Sequence, residues 1–334
     1  MKNKKSIGKM MLCMALIALI SVSGCTKKQE QNSLTEVTLI LDYLPNTNHT
    51  GIYAAEKNGY FADAGLDVTI VEPGDNETSA TLVAAGRGDF GVSYQEDVTY
   101  ARTASQPLPI RAIATILQHN TSGFVSLKSA GIQTVKDFEG KVYAGWQAPS
   151  EEAVIKSLMK QAGADFERLK MVGADGSGFA ALGNGVDLQW DFEGWAVLKG
   201  RLDGYDLNYI PLKELDERLD YYTPLFITNE SMMSEKPETV KAFVQSVKKG
   251  YEYAIANPKE AAEILYEIIP DSDKDFLIKS QQYLSQQYQA EADSWGVMKR
   301  EVWDRYTQFM NETGLIERCI SADELYTNEF IKEE

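Results

Sequence analysis

Histidine and cysteine are scarce in this chain, and their scarcity removes whole classes of site. Only His49 and His119 occur among 334 residues, so a histidine-rich zinc centre cannot be assembled. Catalytic signatures are missing as well. No Gly-rich phosphate loop carries its lysine, no Gly-x-Ser-x-Gly elbow occurs, and GADGSG at 173–178 has the wrong spacing for a dinucleotide turn. That segment reads instead as a turn whose Ser177 caps a following helix. No catalytic residue, metal or cofactor is expected. Positive charge is also short, with 33 Lys and Arg against 49 Asp and Glu and a net charge of -16. Nucleic acid is a poor partner for such a surface. His119, beside Asn120 and Thr121, has no candidate nucleophile near it and reads as a hydrogen-bonded surface or hinge residue rather than a base.

Long apolar runs are absent beyond the amino terminus. There, Lys2, Lys4, Lys5 and Lys9 precede an apolar run from Met10 to Ile20 and a small-residue exit, VSGC at 22–25. A basic head, a short apolar stretch and a small-residue exit are the pattern of a secretory signal. The run is shorter than the roughly 20 residues a spanning helix needs. VSGC resembles the bacterial lipoprotein processing box, which implies a signal over residues 1–24 and lipid on Cys25. Cys13 then leaves with the signal and Cys319 stands alone, so no disulfide or cysteine-based metal site is expected. Residues 25–36 are polar and aperiodic after the cysteine, as a tether would be.

The remaining chain alternates short β-like runs with helical patterns, the arrangement of parallel sheets with crossover helices. Strands are expected at 37–41, 66–71, 90–93, 110–118, 142–145, 169–172 and 186–190. Helices are expected at 78–86, 98–104, 151–162, 178–184, 194–202, 237–257 and 299–312, with another beginning at Pro258. The run YYTPLFIT at 221–228 reads as a crossing back, since the chain beyond it is almost wholly helical in pattern. This predicts an α/β fold of two lobes with a ligand cleft between them, lobe one from 37–124 and 229–334, lobe two from 125–228.

Ligands in such folds sit beyond the carboxyl ends of strands, beside helix amino termini. The segment LDYLPNTNHTGIY at 41–53 occupies that position, with Asp42 at the strand end and Asn46, Thr47, Asn48, His49 and Thr50 before a helix. Its bland reading is an ordinary capped turn. Further strand ends carry SYQED at 93–97, Trp146, and WDFEGW at 190–195. Rings such as Tyr43, Trp146, Trp190 or Trp195 would stack on a flat heteroaromatic ligand, while Asp42 or Glu96 accept hydrogen bonds from its amino group. Asn46, His49 and Tyr94 would add polar contacts. Of the Glu151–Glu152 pair, both suited to a helix first turn, one is expected to face the cleft and Glu152 is taken; Tyr222 completes the set.

LDYLPNTNHTG at 41–51, GYFADAGLD at 59–67, GDFGVSYQE at 88–96, GWQAPSEE at 145–152 and DYYTPLFITN at 220–229 together resemble the thiamine-pyrimidine-precursor binding lipoproteins of bacterial ABC importers. The resemblance runs from about Val37 to Asn257. It implies a type II periplasmic-binding-protein fold, capture of a formylaminopyrimidine or hydroxymethylpyrimidine, delivery to a membrane permease with its ATPase, and residence on the outer face of the cytoplasmic membrane. Pyrimidine synthases of the same superfamily hold pyridoxal phosphate on a lysine that falls here at Ser93, which argues against synthase activity. Three pocket segments depart from the pattern: Tyr43 stands for Trp, Gln147–Ala148 for Gly-Ser, and residues 190–193 for a more apolar stretch. Such changes leave room for a related flat heterocycle, for instance riboflavin, or for a pyrimidine-transforming enzyme.

Overall fold

Short apolar runs, several buried on both faces, build two five-stranded sheets in the computed structural model, which describes residues 34–332 apart from 75–76. The signal, Cys25 and most of the tether lie outside the described residues. In the first sheet, β1 (Thr35–Ile40) pairs in parallel with β2 (Leu66–Val71) and β3 (Phe90–Ser93). Its other members are β4 (Ile110–Thr115) and the late strand β10 (Leu225–Asn229), which runs antiparallel to both β3 and β4. The second sheet holds β5 (Ser122–Leu127), β6 (Val142–Gly145), β7 (Lys170–Gly173), β8 (Leu188–Phe192) and β9 (Leu207–Pro211). Its order is β7-β6-β8-β5-β9, against β2-β1-β3-β10-β4 in the first. The fold is α/β, as the alternation implies.

The chain leaves the first sheet after Thr115 and joins the second at Ser122; it leaves the second after Pro211 and rejoins the first at Leu225. Ser122 and Leu225 each fall a few residues before the expected lobe limits. Late helices do not stay with one sheet. On the helix Arg300–Glu312, Val302 and Trp303 join the core of the first sheet, while Tyr306, Phe309 and Met310 join that of the second. One amphipathic helix therefore touches both cores.

Several local expectations differ from the structure. The helix expected at 178–184 is only a 3-10 turn, Gly178–Ala181, because Gly178, Gly183 and Gly185 take positive φ. The helix expected at 194–202 opens as a π turn, Glu193–Val197, before turning α-helical at Leu198–Leu202. β9 and the helix Lys274–Gln287 were not expected, the latter because its polar composition hides the buried positions Phe276, Leu277, Ser280, Gln281 and Leu284.

One helix crossing positions the turn after β1. The helix Thr50–Lys57 lies directly on the helix Pro237–Ala256, and the contact is made on two glycines. A methyl group on Gly250 would overlap the carbonyl oxygen of Gly51, and one on Gly51 would enter the ring of Tyr251. Tyr251 in turn donates its hydroxyl to the carbonyl of Asn48 at 2.7 Å. The turn between β1 and its helix is thus anchored to a helix about 200 residues away in sequence.

Candidate functional site

β1 delivers Asp42 to its carboxyl end, where two donors meet it. His49 Nε2 lies 2.7 Å from Oδ1, and the hydroxyl of Tyr94, at the end of β3, donates to Oδ2 at 2.9 Å. The tautomer follows from the other ring nitrogen. His49 Nδ1 accepts the backbone N–H of Asn46 at 3.2 Å, so the ring proton sits on Nε2 and is donated to Asp42. Burial pushes the Asp42 carboxyl up, but His49 beside it and the Tyr94 hydroxyl, both donating to it, outweigh burial and hold the group below its ordinary value.

The polar turn expected to face the ligand is largely turned inward. His49 and Thr47 are fully buried. Asn46 spends its side chain on the N–H of Asn48 at 2.9 Å and the carbonyl of Leu44 at 3.0 Å, capping the 3-10 turn Thr47–His49. Thr47 Oγ1 meets Ser280 Oγ at 2.6 Å, and Tyr288 donates to the Thr47 carbonyl. Asn46 and His49 therefore build the wall behind Asp42. Tyr43 and Leu44, by contrast, are exposed.

A second group of acids follows β3, on the helix Gln95–Thr103. Glu96 accepts the Tyr306 hydroxyl at 2.7 Å and lies close enough to Ser150, in the first turn of the helix after β6 in the other sheet, for that hydroxyl to lower it. Burial raises Glu96 above the usual carboxyl range against those two donors. Asp97 is pushed up to about 6 by burial and the neighbouring Glu96, with only Ser93 donating, at 3.2 Å. On β8, burial takes Asp191 up to about 7. Tyr221 stacks on Tyr306, centroids 4.1 Å apart, and Asp97 and Glu96 both act on its hydroxyl. The strand ends of both sheets thus share one acidic, aromatic patch.

The second sheet adds tryptophan. Trp146, just past β6, is 58% exposed with its ring 5.8 Å from that of Trp190. Trp190 is buried and packs edge-on to Phe124 at 5.7 Å. Gln147 follows at φ 62, a left-handed conformation that glycine adopts more readily.

Three expected residues are placed apart from the others. Glu152 shares the solvent stripe of the helix Pro149–Gln161 with Lys156 and Lys160; Glu151, one residue earlier, is the buried acid, accepting from Tyr143 and from the N–H of Ala148 at 3.0 Å. A phase step of about 100° per residue decides between them. Trp195 packs on Phe276 at 4.8 Å, joining the π turn to the helix Lys274–Gln287. Tyr222 is a core residue, its N–H bonded to Gln95 and its hydroxyl accepting the N–H of Lys299 at 2.8 Å. Asp97, Glu151, Asp191 and Tyr306 were missed. Asp97 and Asp191 stand inside segments whose strand-end position is visible in sequence; Tyr306 arrives from a remote helix and gives no local sign.

A hollow of about 460 Å³ lies elsewhere, along the edge strand β2 among Leu41, Pro45, Tyr53, Ile70 and Ile269. It holds none of the acids or tryptophans just described, and the chemistry favours the strand-end patch. Among the described residues no group of His, Cys, Asp or Glu is arranged to hold a metal ion, and no helix is long and apolar enough to cross a membrane. Ser93 is fully buried and carries no amine, so pyridoxal phosphate has no lysine to bond at that position.

The fold is the one found in periplasmic solute-binding proteins. The aliphatic sulphonate binding protein SsuA of Escherichia coli superposes with a TM-score of 0.68 at 12% identity, over 87% of this chain and 92% of that one. The chain belongs to the NMT1/THI5-like family, whose profile matches residues 46–261. It is 27% identical to the formylaminopyrimidine-binding protein of Halalkalibacterium halodurans, over 94% of this chain and 96% of that protein. Similarity extends to the 4-amino-5-hydroxymethyl-2-methylpyrimidine phosphate synthase of Legionella pneumophila, at 24% identity over 89% and 92%. It also extends to the riboflavin-binding protein RibY of Chloroflexus aurantiacus, at 23% over 90% and 87%.

Proposed function

We propose that this protein is a lipid-anchored extracellular receptor of an ABC importer that closes two lobes over a thiamine pyrimidine precursor, a formylaminopyrimidine or a hydroxymethylpyrimidine. The observation that carries this reading is the acidic, aromatic strand-end patch. Glu96, Asp97 and Asp191 are held near or above the ordinary carboxyl range, and the groups acting on them are other acids and hydroxyls, with no lysine or arginine among them. An anion would meet only repulsion there. An aminopyrimidine fits, because its exocyclic amine and adjacent ring nitrogen form an edge that a carboxyl group pairs with in two parallel hydrogen bonds. Trp146 stacks on the ring face, and the buried Trp190 backs it.

The anchor rests on Cys25 and the basic head before it, and the permease and ATPase on the likeness to a named binding protein. The absence of a lysine at Ser93 favours a receptor over a synthase, although some relatives carry synthase names. The RibY relative supports a second reading, a flavin or other flat heterocycle in the same patch.

Mass spectrometry of small molecules released from the purified full chain, followed by a thermal-shift panel of aminopyrimidines and flavins, tests this. A concentration-dependent rise in melting temperature with an aminopyrimidine is expected. Stabilisation by flavins alone would move the reading to its alternative; turnover of a bound pyrimidine would replace it with an enzyme. Within the panel, Trp146→Ala is expected to weaken pyrimidine binding by about 1 kcal/mol or more, the scale of an aromatic contact. Its melting temperature without ligand should stay unchanged, because the ring is mostly exposed.

A further inference from the structure

The two stretches that connect the sheets are tied to each other by the only histidine outside the β1 turn. His119 lies on the outgoing crossing, and Asp220 on the returning one. The His119 Nδ1 is 2.6 Å from Asp220 Oδ2, and its Nε2 is 2.8 Å from Glu291 Oε2, on the segment between the last two long helices. Asp220 also takes the N–H of Asn120 at 2.9 Å, and Asn120 donates to the carbonyl of Leu219 at 2.9 Å. Both ring nitrogens therefore face carboxylate oxygens, which have only lone pairs to offer. A neutral imidazole has one N–H and satisfies one of them; the imidazolium satisfies both.

We propose that His119 is a proton-operated clasp on the hinge: as an imidazolium it binds the outgoing crossing to the returning crossing and to the Glu291 segment, and loss of one proton releases one of these ties. This rests on the reading that the two sheets belong to lobes that move about the crossings. Other charged groups at the cluster come from the last helix and the residues before it. Lys299 Nζ is 3.4 Å from Glu291 Oε1, and Glu301 and Arg305 line a hollow of about 240 Å³ with His119, Asp220 and Glu291. The ring is 28% exposed, so its proton exchanges directly with solvent. Lys299 partly offsets Glu291, so Asp220 is the stronger partner.

The sign follows from the partners. Asp220 chiefly, with Glu291, raises His119 above its ordinary value against a lowering by burial, and His119 in turn lowers Glu291 to about 2. The clasp is fully closed below about 6.5, the value of a free histidine. The tie to Glu291 is lost as pH rises through the elevated folded-state value, and the remaining N–H stays with Asp220.

Proton NMR of the full chain resolves this with two histidines. The His119 ring signal should titrate with a midpoint above about 6.5. Spin-label distances between the two sheets, measured without ligand across the same pH range, should broaden with that midpoint in the native chain and become independent of pH in His119→Gln. Glu291→Gln, on an exposed side chain, should retain the fold and lower the midpoint by about one unit, as loss of a neighbouring charge does. A titrating His119 with distances that do not follow it overturns the clasp and leaves the receptor reading intact. Absence of heterocycle binding at every pH overturns the receptor reading, while the distance measurement still decides the clasp.

Discussion

Replacing Asp42 by alanine is expected to lower both ligand affinity and folding stability, each by about 2 kcal/mol or more, the scale for stranding donors of a charged hydrogen bond. On sequence alone the substitution would spare the fold, since a strand-end acid facing a ligand has water as its substitute. The geometry reverses that. His49 is fully buried behind Asp42, and without the carboxylate its Nε2–H has no acceptor. The Tyr94 hydroxyl loses its acceptor as well. About 2 kcal/mol of affinity corresponds to roughly 30-fold in dissociation constant. Urea unfolding and calorimetry on Asp42→Ala, Tyr94→Phe and the double variant check both parts. The double variant should cost less than the sum of the singles, since the pair is one network. Unchanged unfolding in Asp42→Ala would sink the account of the buried His49 contact. The pH sign is the usual one for a depressed carboxyl: this stabilisation is present above about 3.8 and is lost as pH falls through the lowered folded-state value.

Gly250→Ala is expected to destabilise by about 2 kcal/mol despite improving local helix propensity. Alanine in a helix interior gains about 1 kcal/mol over glycine. Against this, the added methyl meets the Gly51 carbonyl oxygen and the backbone nitrogen and Cβ of Ala55, none of which can rotate aside. Overpacking of this kind costs roughly 1–3 kcal/mol, and more where backbone must shift. The two helices have to part. Because Tyr251 holds Asn48 from the same helix, parting displaces the turn that carries His49 and loosens Asp42 with it. Chemical denaturation should show the loss, and ligand calorimetry a weaker complex. A melting temperature equal to or above that of the native chain would show that the helices have slack at this crossing.

Much of the candidate site was legible because α/β sheets place exposed polar and aromatic groups beyond strand ends. Asp42, Tyr94, Glu96, Trp146 and Trp190 all stand one or a few residues around such ends, and short apolar runs locate them. What failed was direction. Trp195 and Tyr222 have the residue types of a stacking pocket, yet Phe276 and Gln95 claim them. Asn46 and His49 are polar residues in a polar turn, and only Ser280, Tyr288 and Tyr251 show that the turn is a buried wall. Glu151 and Glu152 differ by one helical step, which local pattern resolves poorly where two acids stand side by side.

By itself, then, the order of residues determined the α/β class, the family and the strand ends at which acids and aromatics collect. These depend on periodicity and on contacts short in sequence. Tertiary structure alone decided which polar groups face a ligand and which face one another, and it brought His119, Asp220 and Glu291 together from three separate stretches. The reason is physical: a hydrogen bond or a ring contact is settled by whatever atom lies within about 3 to 5 Å, and here those atoms come from helices and crossings roughly 100 to 230 residues away.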